Sequence, residues 1–533
     1  MLKVSNVRLP VGESEDRLAE YCARKLRVSP PAITGLRILR KSLDIRNKNR
    51  LEHVYTTAVS VEDEPRVLRR ADAQVAAYEP RQYEMPTPGN DRLDHPPIIV
   101  GAGPAGLLAA YQLAQSGYRP IIIERGKSVR ERSREVNAFD LGAELDAENN
   151  YLFGEGGAGT FSDGKLTCRS TGVDTDRVLE IFAECKGKPS IVYEAKPHLG
   201  SNRLPAVVKS LRQHIIAMGG EFRFSCRLDR LRIESGRVVG IDTNQGFMPA
   251  EVVILGIGHS ARDTIDMLHE LGVPMELKPF QMGLRIEQPQ SVVTRTQFGS
   301  GWQSKLLGAA DYTMNVNIAD REVFSFCMCA GGYIMPSVSQ VGYFCTNGMS
   351  RSFHESPFAN SGIVVTVGEK ELAEEGFGTD PLAGIRYQAA IERKAYESTS
   401  GTYQSPIQWA HDFVAERGSP DVPPSTYRRG VQSRNLWEIL PTRVARWLAD
   451  GLLQMDRVWS GDFLRDATVV GPEARGSCPI RLPRDTQSRE SVGITGLYPI
   501  GEGAGYAGGI VSAGVDGLRS AKSVVSRYSP LNR

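Results

Sequence analysis

The residues best placed to do chemistry are three glycines and a carboxylate. Gly101, Gly103 and Gly106 lie in "PIIVGAGPAGLLAAYQLAQSGYRPIIIERG". That stretch reads as a short apolar strand, a glycine-rich turn, an Ala- and Leu-rich helix, and a second apolar strand ending in Glu124. In the G-x-G-x-x-G spacing the first glycine allows a tight turn. The second lets the backbone approach a pyrophosphate, and the third lets helix and strand pack closely. The helix that begins at Pro104 and Ala105 points free N–H groups and its positive dipole end at the phosphates. Glu124 follows Gly101 by 23 residues, where a carboxylate can accept both hydroxyls of an adenosine ribose. Arg125 and Gly126 complete this turn. Together these residues predict dinucleotide binding.

Three further stretches select the dinucleotide. The first, "GFMPAEVVILGIGHSARDT", is an apolar strand running into Gly256 and Gly258. It follows two or three antiparallel strands that include Leu228. The second, "GLYPIGEGAGYAGGIVSAGVDG", is a strand running into Gly501 and Glu502, then a turn at Gly508 and Gly509 and a helix from Ile510. Glu502 can accept hydrogen bonds from a ribityl chain, and the helix terminus suits the polar N1–C2=O edge of a flavin. The third, "GEGGAGTFSDGKLT", supplies bare backbone at Gly157, Ala158 and Gly164. It also supplies polar or aromatic groups at Thr160, Phe161, Ser162, Asp163 and Lys165. A long cofactor with a planar polar ring needs such distant contacts, and FAD is the expectation.

These motifs, with "FSFCMCAGGYIMPSVS", resemble the bacterial FAD-dependent dehydrogenase family within the broad glutathione-reductase-like class of FAD folds. The resemblance runs over nearly the whole chain. It implies a Rossmann-like FAD-binding domain in an α/β fold, and it brings no substrate. Glu502 stands where a GD pair is common in such folds, and the longer carboxylate can do the same work.

Candidates for the reaction are Cys327, Cys329, His259 and Lys165. On a regular strand Cys327 and Cys329 face the same side. Beside a flavin they could relay electrons, but buried cysteine, methionine and phenylalanine also fill cores, and core packing is the reading favoured for the pair. His259 could act as an acid or base, or pack against the cofactor. His198 and the polar stretch holding Asn347, Ser350, Arg351, His354 and Asn360 are candidates for the substrate side. No second complete fingerprint is present for a nicotinamide cofactor, so NAD(P)H is expected to dock only transiently.

The elements that must position these groups need more than one domain, and 533 residues supply them. Residues 1–78 read as a small basic α+β unit in which Ser14 caps a helix. Residues 79–97 are a Pro-rich linker. Residues 98–270 and 470–530 form the discontinuous FAD domain, and 271–469 an inserted α+β substrate or cap domain. The net charge of +2 argues against a polyelectrolyte partner. No apolar run reaches the ~18 residues of a membrane helix, and the first residues lack the pattern of a signal peptide. The eight scattered cysteines form no CxxC pair. A cytoplasmic oxidoreductase acting on a small organic substrate, without metal, membrane or nucleic acid, is the leading expectation. A flavin-dependent RNA-modifying enzyme is the second reading, resting on six Lys/Arg between Arg37 and Arg50. A non-enzymatic flavoprotein is the third.

Overall fold

The computed structural model describes residues 1–168, 170–299 and 306–531. At its centre is a parallel sheet ordered Leu497–Pro499, Val253–Leu255, Ile98–Val100, Ile121–Ile123, Glu221–Arg223. The three inner strands are apolar because both faces are covered: Ile99, Ile122 and Ile254 pack with helices, and Ile98, Val100, Ile123, Val253 and Leu255 with the antiparallel meander and helix Arg262–Glu270. Helix Pro104–Gln115 is buried along most of its length and packs on the C-terminal helix Ile510–Arg527. That explains why it is rich in Ala and Leu all round. Gly101, Glu124, Gly256 and Gly501 each stand one or two residues beyond the carboxyl end of a strand. In open α/β sheets that edge is where ligands bind. Antiparallel strands Leu228–Glu234, Arg237–Thr243 and Gly246–Pro249 form the expected meander beside this sheet.

Above it lies a mainly antiparallel seven-stranded sheet, in order Asn315–Ile318, Arg321–Cys329, Phe358–Val367, Phe280–Pro289, Thr468–Glu473, Ser405–Trp409 and Val431–Ser433. Helix Thr442–Val458 packs against four of its strands. The boundary expected at residue 470 falls inside Thr468–Glu473, which pairs with Phe280–Pro289. This last strand reads as the start of the final nucleotide-binding segment, but its partners place it in the upper sheet.

The N-terminal residues form a four-stranded antiparallel sheet in the order Ile33–Asp44, Glu52–Val61, Leu2–Pro10, Val75–Ala77, with helices Leu18–Leu26 and Glu64–Arg70. This is the split βαβ, ferredoxin-like arrangement. Ser14 caps the short turn at Glu15–Arg17 through its side chain. The edge strand docks on the larger body: Lys41 N–H donates to the Tyr193 carbonyl at 2.7 Å, and Ala195 N–H to the Lys41 carbonyl at 2.8 Å. Of the basic run, Lys41 pairs with Glu15, Arg46 with Asp44 and Arg50 with Glu52, and Lys48 reaches the Thr296 carbonyl. The Pro-rich segment is pinned to the C-terminal helix, with Gly89 N–H on the Val525 carbonyl at 2.8 Å and Asp91 N–H on the Arg527 carbonyl at 3.0 Å. Among the described residues, no helix is long and apolar enough to cross a membrane.

Candidate functional site

A cavity of about 400 Å³ opens at the carboxyl edge of the parallel sheet and reaches the underside of the seven-stranded sheet. Its walls come from the four separate stretches singled out above. Gly101, Gly103, Pro104 and Ala105 form one side with Glu124 and Arg125. Gly157, Ala158, Ser162, Asp163, Gly164 and Lys165 form another. Leu228, Gly256, Gly258 and His259 close a third side, and Gly501, Glu502, Gly508, Gly509 and Ile510 the fourth. Cys327 descends from the upper sheet and Asn347 from the two-stranded hairpin of Gly332–Pro336 and Thr346–Ser350.

Backbone shape makes the first wall. Gly101 has φ +95°, and a Cβ there would stand 2.4 Å from the Gly256 carbonyl oxygen. Helices Pro104–Gln115 and Ile510–Arg527 begin at Gly103 and Gly509 with no side-chain cap, which leaves N–H groups free at the cavity. Glu124 is buried, and three N–H groups fix its carboxylate: those of Ala102, Gly126 and Gly154, each at 2.9 Å. Arg125 pairs with Glu148 and Asp263 and lies over the Phe153 ring.

The glycine-rich stretch is a built wall rather than a mobile surface loop. Its organiser is Arg132, fully buried on helix Val129–Asp140. Its guanidinium donates to the carbonyls of Asn150 (2.8 Å), Tyr151 (2.8 Å), Gly154 (3.2 Å), Glu155 (2.9 Å) and Gly157 (2.8 Å). Burial pushes the Arg132 pKa down to about 10, so it remains a cation at neutral pH. Glu155 accepts from Val129 N–H at 2.7 Å and pairs with Arg212 at 2.8 Å. Gly156 N–H donates to the Ala102 carbonyl at 2.7 Å, which ties this stretch to the first glycine turn. Gly157 has φ +59°, and a Cβ there would meet Gly103 Cα at 3.1 Å. Gly157→Val is therefore expected to force the two turns apart. It should empty the cavity of flavin, with Gly159→Val, beside Pro104 and Ile510, a milder version. Absorbance of the purified variants checks this, and full flavin content in both would contradict it.

Four of the expected contacts do not line the cavity. Gly106 packs on the Gly101 carbonyl and Gly126 on the backbone of Gly154, so both serve close packing. Thr160 turns inward and donates to the Glu155 carbonyl at 2.9 Å. Phe161 packs edge-on against Tyr151, beneath the Arg132 guanidinium.

Where the two sheets meet, ionisable groups gather. Asp163 lies 3.1 Å from Lys165 Nζ and 3.6 Å from His198 Nε2. His198 stacks on His354 and approaches Ser350 Oγ at 3.0 Å. Arg285, fully buried, pairs with Glu473 at 2.6 Å and donates to Asn360 Oδ1 at 2.7 Å. Arg351 points elsewhere, pairing with Glu355. Burial raises the Glu502 pKa to about 7, opposed by Lys278.

Beneath His259, Arg262 and Arg475 share one carboxylate, Glu392, at 2.7 and 2.8 Å. Burial, then the excess positive charge of Arg475 and Arg262, drives the His259 pKa down to about 4. His259 is thus neutral at physiological pH, which removes an imidazolium acid from the expected roles. The unfolded chain takes up this proton near pH 6.5 and the folded chain only near 4, so the unfolded state binds more protons between those values. Stability is expected to fall by up to about 3 kcal/mol as the pH drops through that window. His259→Asn should flatten this limb in thermal melts taken from pH 7 to 4.

Sequence reasoning missed Arg132, Arg285, Glu473 and the Arg262–Glu392–Arg475 group. A signal existed for Arg132. It shares one helical face with the buried Val129, Val136 and Phe139, a spacing that is visible in the sequence. For Arg285 the signal was a charge flanked by the apolar Leu284 and Ile286 inside the strand Phe280–Pro289.

Comparison with known proteins agrees with this geometry. Residues 279–476 match a family described as FAD-dependent protein, C-terminal domain-like. Residues 99–155 match an NAD(P)-binding Rossmann-like domain, and residues 1–60 a domain of unknown function. An uncharacterized protein of Clostridium beijerinckii is 37% identical over 99% of each chain. Thiamine thiazole synthase of Aeropyrum pernix is 29% identical over 31% of this chain and 54% of its own. Protein FixC of Escherichia coli is 28% identical over 37% of this chain and 44% of its own. The chain thus spans only about half of these last two relatives. The chain belongs to the family of FAD-dependent oxidoreductases. It is an enzyme of that family with FAD as cofactor.

Proposed function

We propose that the cavity holds FAD, with the adenosine ribose at Glu124 and the pyrophosphate at the Gly101–Ala105 turn. The flavin end would lie near Lys165, Cys327 and the Gly508–Gly509 turn. The observation that carries this reading is convergence. Four glycine- or acid-bearing turns, far apart in sequence, line one cavity at the edge of adjacent parallel strands. Bound there, FAD supplies hydride and electron chemistry. The protein's own groups do the rest. Glu124 orients one end, two uncapped helix termini face negative charge, and the upper sheet covers the reacting end against water.

The layout fits a glutathione-reductase-type FAD domain of residues 98–270 and the chain from about 474 to 530. A cap of residues 271–473 and an N-terminal accessory domain of residues 1–78 complete it, with 79–97 as a strap. The substrate is a small organic molecule admitted beneath the cap. Eight unpaired cysteines suit a reducing, cytoplasmic setting.

NAD(P)H is proposed as a transient partner only. The single nucleotide turn is taken by FAD, and a nicotinamide without its own ribose acceptor forfeits charge-assisted contacts. Losing two of these weakens binding about a hundredfold or more. NADH and NADPH should then reduce the flavin slowly, without saturation below millimolar concentration. Stopped-flow bleaching that saturates at micromolar nucleotide would contradict this. Anaerobic reduction by a metabolite pool, with mass spectrometry of what disappears, tests the assignment of a small organic substrate. Failure of every metabolite to reduce the flavin would count against it.

A further inference from the structure

We propose that Cys327 is a covalent binding site for soft carbon electrophiles, conjugated carbonyl compounds in particular, with Lys165 as its partner. The inference goes beyond the reading of the cavity as an FAD site and does not need FAD to be present.

It starts from a break in the strand. Arg321–Cys329 loses register with Phe358–Val367 between Phe326 and Cys329. Within the break Cys327 takes a left-handed φ of +46°, a conformation that crowds the Cβ of any residue but glycine. The conformation is held from behind: the Cys327 carbonyl accepts from Arg285 Nη2 at 2.6 Å and from Cys329 Sγ at 3.2 Å. Strain maintained by surrounding structure at a cavity wall points to use. Its effect is to separate two cysteines that a regular strand would have placed on one side. Cys329 is fully buried, whereas Cys327 joins Lys165 and Asp163 in the wall.

The second observation is independent of the thiol. Asp163 and Lys165 Nζ are buried and meet as an ion pair at 3.1 Å, and Lys165 Nζ has no further hydrogen bond among the described residues. The ion pair between them leaves an ammonium with unused donors at the same wall. Buried donors left unused are costly unless something completes them.

Around Cys327 stand Lys165, Arg285, Asp163, Glu473 and Cys329. The neighbouring Cys329 thiol, with attraction to Lys165 and Arg285, outweighs burial and Asp163 and lowers the Cys327 thiol below its ordinary range. Burial sends Cys329 the other way. The thiolate is the nucleophilic form of cysteine. In the step proposed, the sulfur lone pair forms an S–C bond to the β-carbon, and the C=C π pair moves toward the carbonyl oxygen. Lys165 N–H stabilises the charge that develops there, and the α-carbon then takes a proton from water. No electrons leave the pair of reactants, so no oxidant is required.

The test uses the full-length protein, as purified and after flavin removal, treated with iodoacetamide and in parallel with 2-cyclohexenone. Alkylated peptides are mapped by mass spectrometry, and flavin content is read separately. Cys327 is expected to react at least about tenfold faster than the other cysteines at pH 7. Its rate should reach half-maximum at a pH clearly below the about 8.5 of an ordinary thiol. Lys165→Met should slow it about tenfold at pH 7, while Cys329→Ser leaves the labelled peptide the same. Should Lys165→Met fail to fold, the pH profile of the unaltered protein decides. An unlabelled Cys327, a midpoint above pH 8, or a folded Lys165→Met with unchanged rate would overturn the proposal. Absence of flavin with Cys327 still reactive would count against the FAD reading alone.

Discussion

Arg132→Leu is expected to abolish flavin retention and to lower stability by at least about 3–5 kcal/mol, the cost of disrupting a buried charged network. The guanidinium donates to five carbonyls in the segment Asn150–Gly157, and leucine would leave them without that partner. A buried acceptor stripped of its donor costs about 1–3 kcal/mol, so even partial relaxation leaves a large loss. The glycine turns at Gly101 and Gly157 would then lose their register. Arg132→Lys is an informative companion, because one ammonium cannot reproduce a planar fork of five donors. It should retain the charge yet recover little flavin. Thermal melts and flavin absorbance check both variants. Native stability with full flavin in Arg132→Leu would show that the wall does not depend on this residue.

Glu124→Ala is the second large effect. Two charge-assisted hydrogen bonds to a ribose are worth about 1.5–3 kcal/mol each. Their loss predicts FAD binding weaker by about a hundredfold or more. The variant also frees the three N–H groups that the carboxylate now engages, so part of the loss is local disorder at Ala102 and Gly154. Glu124→Gln separates these contributions, since an amide oxygen can still accept but carries no charge. Calorimetric titration of stripped protein with FAD gives the numbers, and an unchanged affinity in Glu124→Ala would contradict the assignment of the adenosine end.

Much of the nucleotide-binding half was readable because its devices are local. A strand, a G-x-G-x-x-G turn, a helix and an acid occupy one continuous stretch, and each glycine there answers a short-range steric demand. The carboxyl-end turns at Gly256 and Gly501 carry the same signature. What was not readable depends on long-range pairing. Arg285 finds Glu473 across 188 positions, and Arg262 meets Glu392 across 130. No spacing rule links such partners. The strand break at Cys327 was hidden for a related reason: "FSFCMC" reads as a regular strand, and only the register against Phe358–Val367 reveals the turn. By proximity in sequence Thr160 and Phe161 read as cavity contacts, but the short helical turn Gly157–Phe161 turns Thr160 to the Glu155 carbonyl and Phe161 to Tyr151.

An extended dinucleotide would fill the cavity between Glu124 and the upper sheet. The most direct measurement is calorimetric titration of flavin-stripped, full-length protein with FAD and with FMN side by side. The structure predicts one FAD per chain and FMN binding at least about a hundredfold weaker, because FMN lacks the adenosine half that Glu124 and the Gly101–Ala105 turn would hold. Equal affinity for FMN and FAD, or no uptake of either, would contradict it.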